Sequence, residues 1–113
     1  MTRVADFVDV PQMNPSQLKA AIERSPVALA IQASSLVFMH YAGGVITDSS
    51  CGTKINHGVL AVGYGIENGL EYFLVKNSWG ETWGDKGYVK IGVEEGEGVC
   101  GIQIAPIQAE NIH

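Results

Sequence analysis

Glycine cuts the second half of this chain into pieces too short for most helices. Fourteen glycines occur in 113 residues, and they crowd into the stretch from Gly58 to Gly101, where the apolar runs between them span only a few residues. A helix that buries a face needs about ten periodic residues, whereas a strand needs about five. Val59–Tyr64, Glu71–Lys76, Tyr88–Ile91 and Ile102–Ile107 therefore read as strands joined by tight turns, the first interrupted by Gly63.

The first half holds the helix. Val4–Val10 alternates loosely and stops at Pro11, as a strand does. Asn14 then offers a cap, Pro15 sits where its missing N–H costs nothing, and Gln17 is placed to close a capping box. Met13 and Leu18 are spaced for a hydrophobic staple, and Leu18, Ala21 and Ile22 form one apolar stripe. Pro26 disfavours helical geometry at Ser25, which ends the segment. Val27–Ala33 reads as a buried strand, and Ser35–Tyr41 as one or two helical turns before Gly43-Gly44. Short connections favour antiparallel pairing. The expectation is an α+β, mainly β fold: an antiparallel barrel-like sheet with one helix on the N-terminal side, in a single domain over residues 1–113. No repeat, low-complexity tract or linker breaks it.

Composition narrows the partners. Hydrophobic residues make up 46% and charged residues 17%, which suits a packed core and excludes a disordered or collagen-like chain. Twelve acidic against seven basic residues leave a net charge of −5 without a Lys/Arg run. Nucleic acid and anionic membrane surfaces are therefore not expected partners. No stretch nears the roughly 18 apolar residues of a membrane-spanning helix. Met1–Asp6 lacks the basic-then-apolar layout of a signal peptide. The two cysteines, Cys51 and Cys100, permit one disulfide, but their number alone does not reveal a redox compartment.

Two segments carry candidate chemistry. His57 stands at the mouth of an apolar strand, directly before Gly58, where a backbone or substrate can approach. It reads either as a hydrogen-bonded histidine at a strand edge or as a working base. The second segment, Lys76-Asn77-Ser78-Trp79-Gly80-Glu81-Thr82-Trp83-Gly84, places two indoles in a glycine-rich loop. Bulky indoles are costly to expose, so they cover something. That is either a satellite core or a polar pair working away from water.

Together these segments resemble the C-terminal half of a papain-family cysteine protease of the cathepsin L-like kind. In that family a histidine in an Asn/Asp-His-Gly/Ala setting is the catalytic base, and the asparagine of an Asn-Ser-Trp-Gly loop orients it. The resemblance assigns these roles to His57 and Asn77, with Trp79 shielding their hydrogen bond, and it runs nearly end to end through Cys100-Gly101-Ile102. The residue types suit the roles. A thiol becomes a strong nucleophile only when ionised, and imidazole can accept its proton near neutral pH and later protonate a leaving amine. The carboxamide of Asn77 can orient the ring without adding charge. No metal or other cofactor is expected.

The family's nucleophile, in a Cys-Gly-Ser-Cys-Trp-like segment, has no counterpart here. It precedes the base by roughly 130 residues, which from His57 reaches about 73 residues before Met1. The oxyanion-hole glutamine belongs to the same absent half. Cys51 and Cys100 match a structural pair in the family; a loop of ~50 residues closed this way contributes ~4 kcal/mol in the chain-entropy model. The alternative is a reactive thiol. A disulfide suits a lysosomal, vacuolar or secreted setting.

The chain is therefore expected to be a base-bearing lobe, inactive alone. Its expected partners are an N-terminal lobe carrying the cysteine, or a second copy, together with a peptide or protein substrate. A processed heavy chain, a separately expressed lobe and an incomplete gene product all fit that reading. By resemblance, Ala30, Gly58 and Ala105 line the subsite for the second residue before the scissile bond. All three are small, so Leu or Phe should enter, and position 105 offers no acid to an arginine. Asn56 stands before the base where many members carry Asp, which removes a nearby negative charge. The competing reading is a non-catalytic binding or storage module on the same fold.

Overall fold

The helix begins and ends where its side chains dictate. In a computed structural model, which describes residues 5–47 and 49–111, Asn14 Oδ1 accepts the N–H of Gln17 at 3.2 Å and Pro15 opens helix α1 (Pro15–Arg24). The Asn14 half of the capping box is thus formed. Leu18, Ala21 and Ile22 are buried in the expected stripe. Met13 adopts a left-handed φ of 55°, its N–H donates to Gln103 O at 2.9 Å, and the residue stays 49% exposed.

At the other end of α1, the buried Gln108 replaces the helix's missing partners. Its Nε2 donates to Ala21 O at 2.5 Å and to Ser25 O at 2.9 Å, while its Oε1 accepts from Arg24 Nη2 at 3.0 Å. Gln108→Leu removes these donors, leaving Ala21 O with the Ser25 N–H alone at 3.2 Å and Ser25 O without its side-chain partner. We expect it to cost about 1–3 kcal/mol, read as a lower urea midpoint with an unchanged slope. A midpoint equal to that of the unsubstituted chain would show that Gln108 caps nothing of consequence.

The strands form one seven-stranded sheet in the order β1-β7-β2-β4-β5-β6-β3. They are β1 (Ala5–Asp9), β2 (Val27–Ile31), β3 (Val45–Ile46), β4 (His57–Glu67), β5 (Leu70–Lys76), β6 (Tyr88–Gly92) and β7 (Ile107–Asn111). The mainly β, α+β class is as expected. The sheet stays open, with β1 and β3 as its edges, rather than closing on itself. All its pairings are antiparallel except β3 with β6, which is parallel. Strand β3, only two residues long, gives no periodic signal. A single helical turn, α2 (Leu36–Met39), follows β2, capped by Ser35 Oγ, which accepts the N–H of Phe38 at 3.3 Å.

One expected strand is displaced. Residues 102–106 form turns, and β7 begins only at Ile107. Cys100 and Gly101 both hold positive φ (59° and 74°), which turns the chain out of extended geometry, and Ile102 is buried by packing rather than by pairing. The core runs between α1 and the sheet through Leu18, Ile22, Val27, Leu29, Ile31, Phe73, Val75, Val89 and Ile91. Across the helix–sheet boundary, Lys19 pairs with Glu71, and Tyr64 Oη donates to Glu23 Oε1 at 2.6 Å.

Candidate active site

A hairpin with one irregularity brings the site together. His57 opens β4 and Asn77 directly follows β5, so the antiparallel turn at Asn68-Gly69 folds the end of one strand back to the start of the other. The tip pairs Glu67 with Leu70 and the register runs evenly to Gly63 with Leu74; a bulge then shifts it, giving Ala61 with Val75 and Leu60 with Lys76. Continuing that ladder places Asn77 opposite Val59, on the same face as His57 two residues earlier. Without the bulge Asn77 would oppose Leu60, and its side chain would leave the opposite face of the sheet.

The contact that results is short. His57 Nε2 lies 2.7 Å from Asn77 Oδ1. The same oxygen accepts the backbone N–H of Ser78 at 2.8 Å. Two donors converging on one atom identify it as the carbonyl oxygen, so the ring proton sits on Nε2. The neutral imidazole then carries its lone pair on Nδ1, which makes no hydrogen bond among the described residues. The Asn77 oxygen thus fixes the tautomer and leaves Nδ1 without a partner among the described residues.

Asn77 is 5% exposed, and its own N–H donates to Gly87 O at 3.0 Å, anchoring the carboxamide to the far side of the loop. Its Nδ2 is buried without a partner among the described residues. Trp79 packs against the imidazole with ring centroids 5.2 Å apart, yet it remains 41% exposed. Behind it, Phe38 touches both Trp79 and Trp83, at 5.4 and 4.8 Å. Tyr41 extends this aromatic group, and burial pushes its phenol pKa above the ordinary value.

The remaining singled-out residues fall in different places. Cys51 and Cys100 are joined in a disulfide, with both cysteines buried. Asn56 uses its side chain locally: Oδ1 accepts the N–H of Ala33 at 3.0 Å, and its own N–H donates to Ile31 O at 2.9 Å. Ala30 and Gly58 are direct partners across β2 and β4. A Cβ at Gly58 would meet no atom within 4 Å, so nothing in this chain requires glycine there. Gly58 lines an open recess of about 490 Å³ with Leu29, Leu60, Asn77 and Ser78. Ala105 lies in the turn before β7 and lines a separate recess of about 280 Å³ with Val10, Pro11 and Ile107. Sequence reasoning missed Phe38, whose only local signal was being apolar.

Comparison with known proteins now decides the family. The model of the papain family cysteine proteases matches residues 1–109. The chain belongs to the papain family. It corresponds to the family's C-terminal lobe region. It is 43% identical over 105 residues to cysteine proteinase RD21A of Arabidopsis thaliana, covering 91% of this chain and 22% of that protein. To the KDEL-tailed cysteine endopeptidase CEP2 of the same plant it is 51% identical over 96 residues, covering 83% of this chain and 26% of the relative. Among solved structures, the bromelain protease of Ananas comosus superposes with a TM-score of 0.85 at 39% identity, covering 91% of this chain and 48% of that one. The chain thus spans under a third of these two relatives' length and about half of the solved protease.

Proposed function

We propose that this papain-family chain is the base-bearing lobe of a cysteine endopeptidase, with the nucleophilic cysteine supplied by an N-terminal lobe. The observation that carries the reading is the His57 Nε2 to Asn77 Oδ1 contact at 2.7 Å, which leaves Nδ1 free. In the proposed reaction Nδ1 takes the thiol proton, and the thiolate attacks the peptide carbonyl carbon. As the C–N bond breaks, the imidazolium returns that proton to the leaving amine. Water then hydrolyses the thioester, with Nδ1 accepting its proton. Asn77 steadies the imidazolium without a second charge, and Trp79 limits water around their bond.

The recess beside Asn77, lined by Leu29, Gly58 and Leu60, supports a partner surface and a substrate path along this edge. The small residues Ala30 and Gly58, paired across β2 and β4, support entry of Leu or Phe at the neighbouring subsite. The buried disulfide and the plant relatives support a vacuolar or secreted setting.

The test is complementation. The pure chain is expected not to cleave a fluorogenic peptide. Refolded with a cysteine-bearing N-terminal lobe of the same family, it is expected to do so, and thiol alkylation should stop the cleavage. A stable two-lobe complex that takes up the alkylating reagent but hydrolyses nothing would favour a binding module instead.

A further inference from the structure

The segment that delivers His57 to the sheet is anchored at both ends. Cys51 is tied to Cys100, and Asn56 is tied to β2 through Ile31 O and the N–H of Ala33. Between these anchors, Thr53, Lys54 and Ile55 are exposed. One side chain reaches into the gap: Gln32 Oε1 accepts the N–H of Lys54 at 2.8 Å. No other side-chain hydrogen bond among the described residues reaches residues 52–55.

Gln32 is well placed for this task. It follows Ile31, the β-sheet partner of His57, and its own N–H donates to Cys100 O at 2.8 Å. Its Nε2 donates to Ser34 Oγ at 3.2 Å, which fixes the amide's orientation. The loop closes tightly around it. Gly52 holds a φ of +82°, and a Cβ there would lie 2.2 Å from Gln32 Oε1. Only glycine fits while the carboxamide occupies that seat.

We propose that Gln32 is a positioning residue for His57. Its carboxamide acts as the internal acceptor that the 52–55 loop folds around, so that the disulfide, the loop and the first pair of β4 move as one unit. The inference rests on the reading of His57 as the base, because only then does its orientation matter for a reaction.

The experiment follows the imidazole directly. Nitrogen-15 spectra of His57 are recorded in this chain for the unsubstituted form, Gln32→Ala, Gln32→Glu and Gly52→Ala. Gln32→Ala is expected to raise the exchange of the Nε2 proton with water about fivefold, the equilibrium change of one lost hydrogen bond. Gln32→Glu keeps an acceptor for Lys54 and should restore it, whereas Gly52→Ala displaces the carboxamide and should mimic the loss. In the two-lobe enzyme kcat should fall by a similar factor at unchanged KM. An unperturbed imidazole in both Gln32→Ala and Gly52→Ala would overturn the proposal, as would a Glu variant no better than Ala. A perturbed imidazole in a two-lobe protein that hydrolyses no peptide would uphold the positioning role and remove the catalytic one.

Discussion

In the two-lobe protein, His57→Ala is expected to lower kcat by about 10³-fold, the scale of a lost general acid–base group, while KM and the melting temperature stay close to those of the unsubstituted form. Both expectations come from the same geometry. The ring is half-buried at the start of β4, so its removal opens no core cavity. Asn77 Oδ1 loses one donor but keeps the N–H of Ser78 at 2.8 Å, so no acceptor is left bare. What disappears is Nδ1, which makes no hydrogen bond among the described residues and is the nitrogen proposed to move the proton. Asn77→Ala should give a smaller fall, because the base survives but its tautomer and orientation are no longer imposed. Steady-state kinetics on a fluorogenic peptide, with thermal melts of each variant, separate the effects. A His57→Ala enzyme within a few-fold of full kcat would end the assignment of His57 as base.

The two halves of the site were legible in the sequence because each sits in a local motif: His57 before Gly58, and Asn77 in Asn-Ser-Trp-Gly. Their meeting was implied by the family resemblance, but no local pattern shows how the chain achieves it. It depends on the register shift between Ala61 and Gly63, and a glycine in a strand signals an irregularity without saying which way the ladder slips. The α1 boundaries were readable because Asn14, Pro15 and Pro26 act on their nearest neighbours. The Ile102–Ile107 strand failed for the converse reason. Its apolar spacing suits a strand, but the left-handed Cys100 and Gly101 just before it turn the chain, and only the three-dimensional context shows that. The structural roles of Gln32 and Asn56 gave no signal either, since their acceptor oxygens serve backbone N–H groups 22 and 23 residues away. Ala30 and Gly58 meet through the pairing of β2 with β4, whereas Gly58 and Ala105 line different recesses, which spacing along the chain does not show.

Phe38→Ala is expected to destabilise the chain by about 3–5 kcal/mol, the usual cost of deleting a buried phenyl ring, and to disturb the site as well. Phe38 is fully buried on the single turn α2 and forms the floor on which both indoles stand. Trp79 and Trp83 also meet each other edge to face, with centroids 5.4 Å apart. Trp83 has further supports: its Nε1 donates to Met39 O at 3.2 Å, and its ring touches Tyr41. Tyr41 is held in turn by its hydroxyl on Gly44 O at 2.6 Å, and Gly84 leaves room for its ring, since a Cβ there would come within 3.2 Å of it. Trp79 makes ring contacts but no side-chain hydrogen bond among the described residues and is already partly open to water, so loss of Phe38 should free it first and take one wall from His57. The two tryptophans are the only ones in the chain, which makes the effect visible. Fluorescence should shift to the red and near-ultraviolet circular dichroism should weaken, and in the two-lobe enzyme kcat should fall further than the unfolded fraction explains. Phe38→Leu restores much of the volume but not the ring edge, so it should recover most of the stability and less of the activity. Should Phe38→Ala cost under about 1 kcal/mol with unchanged emission, the aromatic group would be a surface cover rather than the support of the catalytic wall.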